Sequence, residues 1–337
     1  MSFFQQLHDR ARQSPKIIVL PELPVERARV ADGPMAAAAD RAESDGLARI
    51  VPLSRTMIEE SGKLDEFVER YREVRGLSER KSAMVRRLVA KPNVFAVGMV
   101  RLGYAHGMVT GKYTQSYNVM AAVNALIEHE PGKIPSTLFF CEPPDGYPVF
   151  RLLSVADVVV NPFPDAEQLA SIVETSCETF KTLSGIEPRA AILSYSTGSS
   201  GRGDLVGRIH DALDAYQSRG RDWFVYGPCQ FDAAINPEVA RNKRGCPFTD
   251  APANVIVGPT LDVANNMYKA VQWLVPGCKT MLCSQGVALP VDDLSRGDDE
   301  QAILNVIAAN VVKAQAAEAA AKYPGPIDDC FLSISAS

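Results

Sequence analysis

Hydrophobic positions along the chain fall into short apolar runs and longer segments with helical spacing. The first apolar positions with helical spacing are Phe4, Leu7 and Ala11, and they predict an amphipathic helix. Ser14-Pro15 ends this helix, and the run from Ile17 to Leu20 predicts a buried strand. A largely helical segment at about residues 25–42 and a second strand at 48–53 come next. This strand–helix–strand order is typical of a parallel sheet covered by helices.

The alternation continues to the end of the chain. The apolar run 95–100 is followed by a predicted helix at 119–127. Five further strands are predicted, at residues 137–140, 156–160, 190–193, 223–225 and 254–257. These patterns predict an α/β fold throughout.

Two helix starts are well marked. Asp165 with Gln168 three residues later forms a capping-box pattern. The last helix begins after Gly297, with Asp298 or Asp299 as its cap. Its predicted buried face carries Ile303, Ile307 and Val311.

The length of 337 residues exceeds what one hydrophobic core usually supports. Pro131–Pro135 is the best candidate linker, so we predict two α/β domains: residues 1–133 with 287–337, and residues 134–286. Ligands in such folds bind outside the carboxyl ends of strands or between lobes.

Composition excludes several classes of protein. The net charge of -5 argues against nucleic acid as a partner, and no uncharged apolar run is long enough to span a membrane. The N-terminus lacks the pattern of a signal peptide. Seven cysteines without a CxxC pair, and four histidines, show no zinc spacing. We expect reduced thiols in a cytoplasmic protein that holds no metal.

Two segments could bind an anion. In the first, Ser194 to Gly203 follows a predicted strand, and its small residues let backbone N–H groups and hydroxyls approach a ligand. It lacks the Walker spacing, and an exposed Ser/Gly turn explains it equally well.

The second segment is Pro290 to Gly297, before the final helix. Ser295 and Arg296 offer a hydroxyl and a guanidinium near a helix N-terminus, a combination suited to phosphate or an oxyanion. The alternative is an ordinary capped helix start with a surface Arg–Asp pair.

An ordered series of motifs makes the chain resemble the phosphate acetyltransferase (phosphotransacetylase) and phosphate butyryltransferase family, as a divergent member. The series covers essentially the whole chain: Leu20-Pro21-Glu22, Glu26-Arg27, Gly107 to Gly111, Asn161 to Ala170, Gly185 to Pro188, Ser194 to Thr197, Gln230 to Ala234, Leu261-Asp262, Asn265 to Lys269, Gln285-Gly286 and Asp293 to Gly297. The resemblance implies two Rossmann-like lobes with a cleft between them. It also implies acyl transfer between coenzyme A and inorganic phosphate, and a homodimer.

The same resemblance implies roles for individual residues. Ser295 would hydrogen-bond the transition state and Arg296 would hold the phosphate. Residues implied to contact substrate or coenzyme A are Arg72, Ser194, Ser196, Thr197, Gly198, Asn265, Lys269, Gln285 and Asp293. Coenzyme A is a substrate in this scheme, and no cofactor is permanently bound.

Three positions depart from the family pattern. Ala302 stands where an aspartate is expected, and Ala121 and Trp273 stand where arginines are expected; a histidine near Thr114 and a lysine at Leu289 are also missing. Loss of an aspartate base costs about 10²–10⁴ in rate unless a neighbour replaces it. Asp298, Asp299 and Glu300 are expected to point elsewhere on the helix, and Trp273 to fill vacated space.

Two functional hypotheses follow. The first is an acyltransferase that moves an acetyl or other short acyl group between coenzyme A and phosphate, and the retained Ser295-Arg296 pair favours it. The second is an impaired family member that binds coenzyme A thioesters as a regulatory or partner subunit. A hydroxy-acid dehydrogenase is disfavoured because no GxGxxG follows the first strand.

Overall fold

The computed structural model describes residues 1–23 and 33–335, which divide into two compact units. Unit 1 comprises Met1–Phe4 and Glu130–Gly286, and unit 2 comprises Gln5–His129 and Val287–Ser337. The Glu26-Arg27 motif and most of the predicted first half of the helix at 25–42 lie outside the described residues. The predicted domain boundaries, after residues 133 and 286, stay predictions.

Helices and strands alternate along most of the chain. The helices are α1 (Phe3–Gln13), α2 (Pro34–Ser44), α3 (Arg55–Glu60), α4 (Leu64–Val74), α5 (Ser82–Val89), α6 (Pro92–Leu102), α7 (Ser116–Leu126), α8 (Ala166–Ser184), α9 (Asp204–Ser218), α10 (Phe231–Ile235), α11 (Pro237–Asn242), α12 (Leu261–Leu274), α13 (Glu300–Ala319) and α14 (Cys330–Ser335). The strands are β1 (Lys16–Leu20), β2 (Ala48–Pro52), β3 (Gly107–Thr110), β4 (Ser136–Glu142), β5 (Leu153–Ala156), β6 (Arg189–Leu193), β7 (Phe224–Cys229), β8 (Val255–Val257), β9 (Lys279–Gln285) and β10 (Val291–Asp293).

Unit 2 is built on a four-stranded parallel sheet with the order β10-β3-β1-β2. All five residues of β1 are buried, as expected for a strand covered on both faces. Ile17 and Val19 pack with α4 to α7 in one apolar cluster. Helix α13 packs against β1, β3 and β10, and its predicted core residues Ile303, Ile307 and Val311 are fully buried.

Unit 1 contains a six-stranded sheet with the order β7-β6-β8-β5-β4-β9. The strands from β7 to β5 run parallel, whereas β4 is antiparallel to both of its neighbours. A core of residues such as Phe139, Val155 and Ile256 lies on this sheet. The predicted capping box of α8 is confirmed, since Asp165 accepts the Gln168 N–H and the Gln168 side chain accepts the Asp165 N–H.

The apolar run 95–100, to which the sequence assigned no element, lies inside helix α6. Pro92 occupies the first turn of that helix, and Gly103 ends it with a left-handed φ of 83°. Every residue from Val94 to Val100 is buried, so this run lacks the helical alternation of apolar and polar positions by which a helix is identified in a sequence. The strand of this region is β3, which follows the helix.

The strand predicted at 156–160 lies earlier, at Leu153–Ala156. Asp157 ends it, because its buried carboxylate accepts the N–H groups of Val159, Val160 and Asn161 at 3.2, 3.2 and 2.7 Å. These amides therefore do not join the sheet.

The predicted buried strand at 223–225 is also corrected. It is the start of β7, an edge strand of its sheet, where Phe224 is 37% exposed.

In the part of the chain that is described, no helix is long and apolar enough to cross a membrane.

Candidate functional site

Three loops of unit 2 leave neighbouring parallel strands at one edge of the sheet. Strands β10, β3 and β1 are adjacent, and their carboxyl ends lead into Ser295, Lys112 and Glu22. The pairing of Asp293 with Thr110 continues one residue further, since the Leu294 N–H donates to the Thr110 carbonyl at 2.7 Å. This edge is where α/β sheets bind ligands.

Ser295 and Arg296 lie in a tight turn just after β10. The Ser295 N–H donates to the carboxylate of Asp298 at 2.9 Å, and the Asp298 N–H donates back to the Ser295 carbonyl at 3.0 Å. Ser295 is half-buried and Arg296 is exposed. The turn therefore carries a hydroxyl-bearing and a guanidinium-bearing residue in succession on a backbone held by reciprocal bonds.

Lys112 holds the same turn from the neighbouring loop. Its Nζ donates to the carbonyl oxygens of Arg296 and Asp298, each at 2.7 Å. The preceding Gly111 has a φ of 98°, and a Cβ there would lie 2.0 Å from Asp293 Oδ1. Only glycine permits this approach of the two loops.

Glu22 fixes the Lys112 loop from the end of β1. Its carboxylate accepts the backbone N–H groups of Lys112, Tyr113 and Thr114 at 2.9, 3.2 and 2.6 Å. A carboxylate that accepts several backbone N–H groups forms charge-assisted bonds. Glu22 belongs to one of the family motifs, and its role as an anchor for this loop was not anticipated from the sequence.

Asp298 corrects an expectation from the sequence. Helix α13 begins at Glu300 and Asp299 caps it by accepting the Ala302 N–H at 2.9 Å, so the predicted capping is confirmed. Asp298 lies before the helix and folds back under Ser295. It was wrong to place Asp298 on the helix and to set it aside.

The Asp298 carboxyl is 5% exposed. Burial raises its pKa to about 6, against the opposing effects of the Ser295 N–H and the nearby Lys112 charge. A carboxyl with such a pKa titrates close to neutral pH, which is common among groups at functional sites.

A cavity of about 420 Å³ lies in unit 2 beside the Lys112 loop. Its walls come from the ends of β1 and β3 and from helices α4 to α7. The lining residues are Pro21, Glu22, Tyr71, Leu88, Lys91, Pro92, Asn93, Val94, Thr114, Asn118, Ala121 and Ala122. It therefore includes Ala121 and Thr114, two of the positions that depart from the family pattern.

The other site residues predicted in unit 2 lie apart from the turn or inside the protein. Arg72 is on α4, where its guanidinium pairs with Glu69 at 2.7 Å, and it is not among the residues that line the cavity. Asp293 is buried at the end of β10. Ala302 is 6% exposed and offers only a methyl group at the position where the family resemblance implies a carboxylate.

In unit 1, the loop after β6 is folded on itself. Ser196 and Thr197 are buried, and the Ser200 hydroxyl contacts Ser196 Oγ at 3.0 Å and accepts the Thr197 N–H at 3.0 Å. Thr197 Oγ1 donates to Gln230 at 3.3 Å. The N–H groups of Ser194 and Gly198 donate to carbonyls of β7. Much of the donor capacity expected for a ligand is thus used within the loop or on β7 and Gln230.

The remaining predicted contacts in unit 1 are dispersed. Asn265 donates to the Val158 carbonyl at 2.8 Å, and Lys269 donates to the Tyr268 hydroxyl at 2.9 Å. Gln285 is buried and donates to the hydroxyls of Ser136 and Ser176, at 3.0 and 2.9 Å.

The expectation that Trp273 fills space left by a missing arginine is wrong. Its side chain is 82% exposed at the end of α12, so it does not fill vacated space.

Residues 1–23 and 33–335 contain no group of three or more His, Cys, Asp or Glu side chains placed to hold a metal ion.

Comparisons with known proteins agree with this architecture. The model of the family described as phosphate acetyl/butaryl transferase matches residues 2–311. The phosphate acetyltransferase of Nitratidesulfovibrio vulgaris is 37% identical over 76% of this chain and 36% of its own length, and that of Synechocystis is 37% identical over 72% and 34%. The chain thus spans about a third of these two relatives. The phosphate acetyltransferase of Clostridium acetobutylicum is 32% identical over 94% of this chain and 99% of its own length.

Solved structures of related proteins have the same fold. A phosphotransacetylase from Streptococcus pyogenes has a TM-score of 0.80 at 26% identity, covering 93% of this chain and 98% of that one. The EutD phosphotransacetylase from Staphylococcus aureus has a TM-score of 0.77 at 26% identity, with the same coverage. The chain therefore belongs to the phosphate acetyl/butaryl transferase family.

Proposed function

We propose that this protein transfers an acetyl or other short acyl group between coenzyme A and inorganic phosphate. The observation that carries the proposal is the turn after β10, whose backbone is held in place and carries Ser295 and Arg296 at the carboxyl edge of a parallel sheet. Family membership supports the same reaction. No observation favours the regulatory alternative.

The chemistry assigns distinct tasks to the two residues. Arg296 would bind phosphate through its planar fork of N–H donors, and Ser295 would donate to the oxyanion that forms when phosphate attacks the thioester carbonyl. The carbonyl carbon gains a bond to a phosphate oxygen and loses its bond to sulfur. The coenzyme A thiolate leaves and takes a proton from solvent or a nearby acid.

The other residues implied by the family resemblance keep their predicted roles. Arg72, Asp293, Asn265, Lys269, Gln285 and the Ser194–Gly198 loop remain predicted contacts with coenzyme A or phosphate. Coenzyme A would enter and leave as a substrate, with no permanently bound cofactor.

The experiment is a thiol-release assay with acetyl-CoA and phosphate, together with the reverse reaction from acetyl phosphate. Arg296→Ala should lower kcat/KM by about 10²-fold or more, since it removes two charge-assisted bonds to phosphate, each worth about 1.5–3 kcal/mol. Arg55→Ala, at an exposed arginine of α3, is the matched control and should keep full activity. The absence of transfer in both directions, with every acyl-CoA from acetyl to octanoyl, would rule out the function.

A homodimer in the cytoplasm completes the proposal. All seven cysteines lie in the described residues and none forms a disulfide, which supports a reducing compartment. Light scattering coupled to size-exclusion chromatography tests the dimer, and a monomer at micromolar concentration would contradict it.

A further inference from the structure

Six of the seven cysteines lie in unit 1, and four of them form two pairs of interacting thiols. Cys141 on β4 shares a hydrogen bond with Cys278, which lies just before β9. Cys229 at the end of β7 shares one with Cys246. Two thiols in contact are the arrangement from which a disulfide forms.

The sheet register places Cys141 and Cys278 on one face. Cys141 is paired with Thr280, and Cys278 lies two residues before Thr280 along the chain. Residues two apart on an extended strand point to the same face. Diagonal neighbours of this kind have Cα atoms about 7–8 Å apart, just above the limit of about 7 Å for a disulfide. Because Cys278 lies outside the ladder, in the segment that follows Gly277, a small shift of this segment is enough to join the two sulfurs.

The two pairs differ in their access to solvent. Cys141, Cys229 and Cys246 are buried, whereas Cys278 is partly exposed. The neighbouring Pro276 and Gly277 are exposed as well. A reagent dissolved in water therefore reaches the first pair through Cys278, while both sulfurs of the second pair are shielded.

The hydrogen bonds give the two thiols of the first pair different roles. Burial raises the pKa of both, but the bond from Cys141 acts to lower the pKa of Cys278 and to raise its own. The Cys278 thiol in turn donates to the Gln272 carbonyl at 3.5 Å. Because the thiolate is the nucleophile, Cys278 is the thiol that attacks and Cys141 is the one that follows.

We propose that Cys141 and Cys278 form a peroxide-reactive dithiol site that closes to a disulfide. The Cys278 thiolate attacks one oxygen of hydrogen peroxide and the O–O bond breaks; the sulfur becomes a sulfenic acid, and the hydroxide that leaves takes up the thiol proton as water. The Cys141 sulfur then attacks the Cys278 sulfur, and a second water leaves with the Cys141 proton. Two thiols thus lose two electrons and one peroxide becomes two waters.

This site is independent of the proposed acyl transfer. Its disulfide would tie β4 to the segment between α12 and β9. Helix α12 carries Asn265 and Lys269, two of the predicted contacts with coenzyme A or phosphate.

The test treats the reduced full chain with hydrogen peroxide, alkylates the remaining thiols in denaturant and analyses the digest by mass spectrometry. The expected product is a pair of peptides joined through Cys141 and Cys278, which dithiothreitol separates again. Cys229 and Cys246 should be recovered as alkylated thiols, because their contact is closed to solvent.

Three variants separate the roles of the thiols. Cys141→Ala removes the second thiol and should leave Cys278 as a sulfenic acid that dimedone captures. Cys278→Ala should leave Cys141 reduced. Cys246→Ala makes the matched change in the shielded pair and should form the Cys141–Cys278 bond as wild type does.

The wild-type protein alone can contradict the proposal, so the result does not depend on how the variants fold. A sulfenic acid captured at Cys278 while Cys141 stays reduced would overturn it, as would two thiols that both survive the peroxide. Formation of a Cys229–Cys246 bond as fast as the Cys141–Cys278 bond would show that solvent access does not select the site.

Discussion

The backbone amide of Ser295 donates to the carboxylate of Asp298 at 2.9 Å, and the carbonyl of Ser295 accepts the Asp298 N–H at 3.0 Å. This reciprocal pair closes the turn that carries Arg296. In the proposed reaction, Asp298 would be a positioning residue that acts through Ser295 and Arg296.

Asp298 should make stability depend on pH in a specific direction. Its folded pKa of about 6 exceeds the ordinary 3.8, so the stabilising contribution is present below 3.8 and is lost as pH rises through about 6. The expected loss is roughly 3 kcal/mol in the free energy of unfolding. Asp298→Asn keeps an acceptor for the Ser295 N–H but cannot ionise.

Urea unfolding of wild type and Asp298→Asn at about pH 4 and about pH 6.5 measures this effect. Lys112 and Asp299 are the charged neighbours of the carboxyl and are unchanged in the variant. The difference between the two proteins isolates the titration of Asp298. Equal pH dependence in both would show that the carboxyl titrates normally.

His106 should act in the opposite direction. Burial and the nearby charge of Lys16 lower its pKa from 6.5 to about 4, and its Nδ1 accepts the Ile17 N–H at 3.1 Å. Its contribution is present above pH 6.5 and is lost as pH falls through about 4. His106→Asn, whose amide oxygen can accept the same N–H, should flatten the acid side of the stability profile. An acid limb as steep as in wild type would contradict this.

Lys112 should be needed for both the shape of the turn and the rate. Lys112→Met removes two charge-assisted bonds to the turn and should lower the free energy of unfolding by about 1–3 kcal/mol. We expect kcat to fall by about tenfold or more, with less change in the KM for acetyl-CoA. Lys81→Met, at an exposed lysine that does not line the cavity, is the control. Unchanged kcat would show that the turn holds its shape without Lys112.

Arg296→Lys separates charge from geometry at the same position. Lysine keeps the positive charge but cannot form two parallel bonds to phosphate. The KM for phosphate should rise about tenfold, whereas the KM for acetyl-CoA should stay within about twofold. Initial rates at varied phosphate and fixed acetyl-CoA give the result. Equal effects on both substrates would place Arg296 outside the phosphate subsite.

Local sequence patterns predicted most elements because their signals are short-range. The capping box at Asp165 and the cap at Asp299 depend on side chains a few residues away. Helix α6 was not identified from the sequence because every residue from Val94 to Val100 is buried, which removes the periodic contrast that identifies a helix. The end of β5 depended on Asp157, whose carboxylate diverts the following amides from the sheet.

The site was only partly predictable. Ser295 and Arg296 were found as a motif, but Lys112 lies more than 180 residues from them in the chain, at separations of 184 and 186 from its two acceptors. Only the order of the strands brings that loop to the turn. The role of Asp298 depended on where α13 begins. Because the helix begins at Glu300, Asp298 lies two residues before it and is buried instead of lying on the helix surface.

The position of β10 in the chain has a consequence for synthesis of the protein. Strand β10 and helix α13 follow residues 130–286, yet they complete the sheet of the other unit. On the ribosome, all residues of unit 1 are synthesised before β10, the strand that completes the sheet of unit 2. Nascent chains stalled once Gly286 has emerged from the ribosome, with β10 and α13 still inside it, should therefore hold a protease-resistant unit 1 while unit 2 is still open to cleavage.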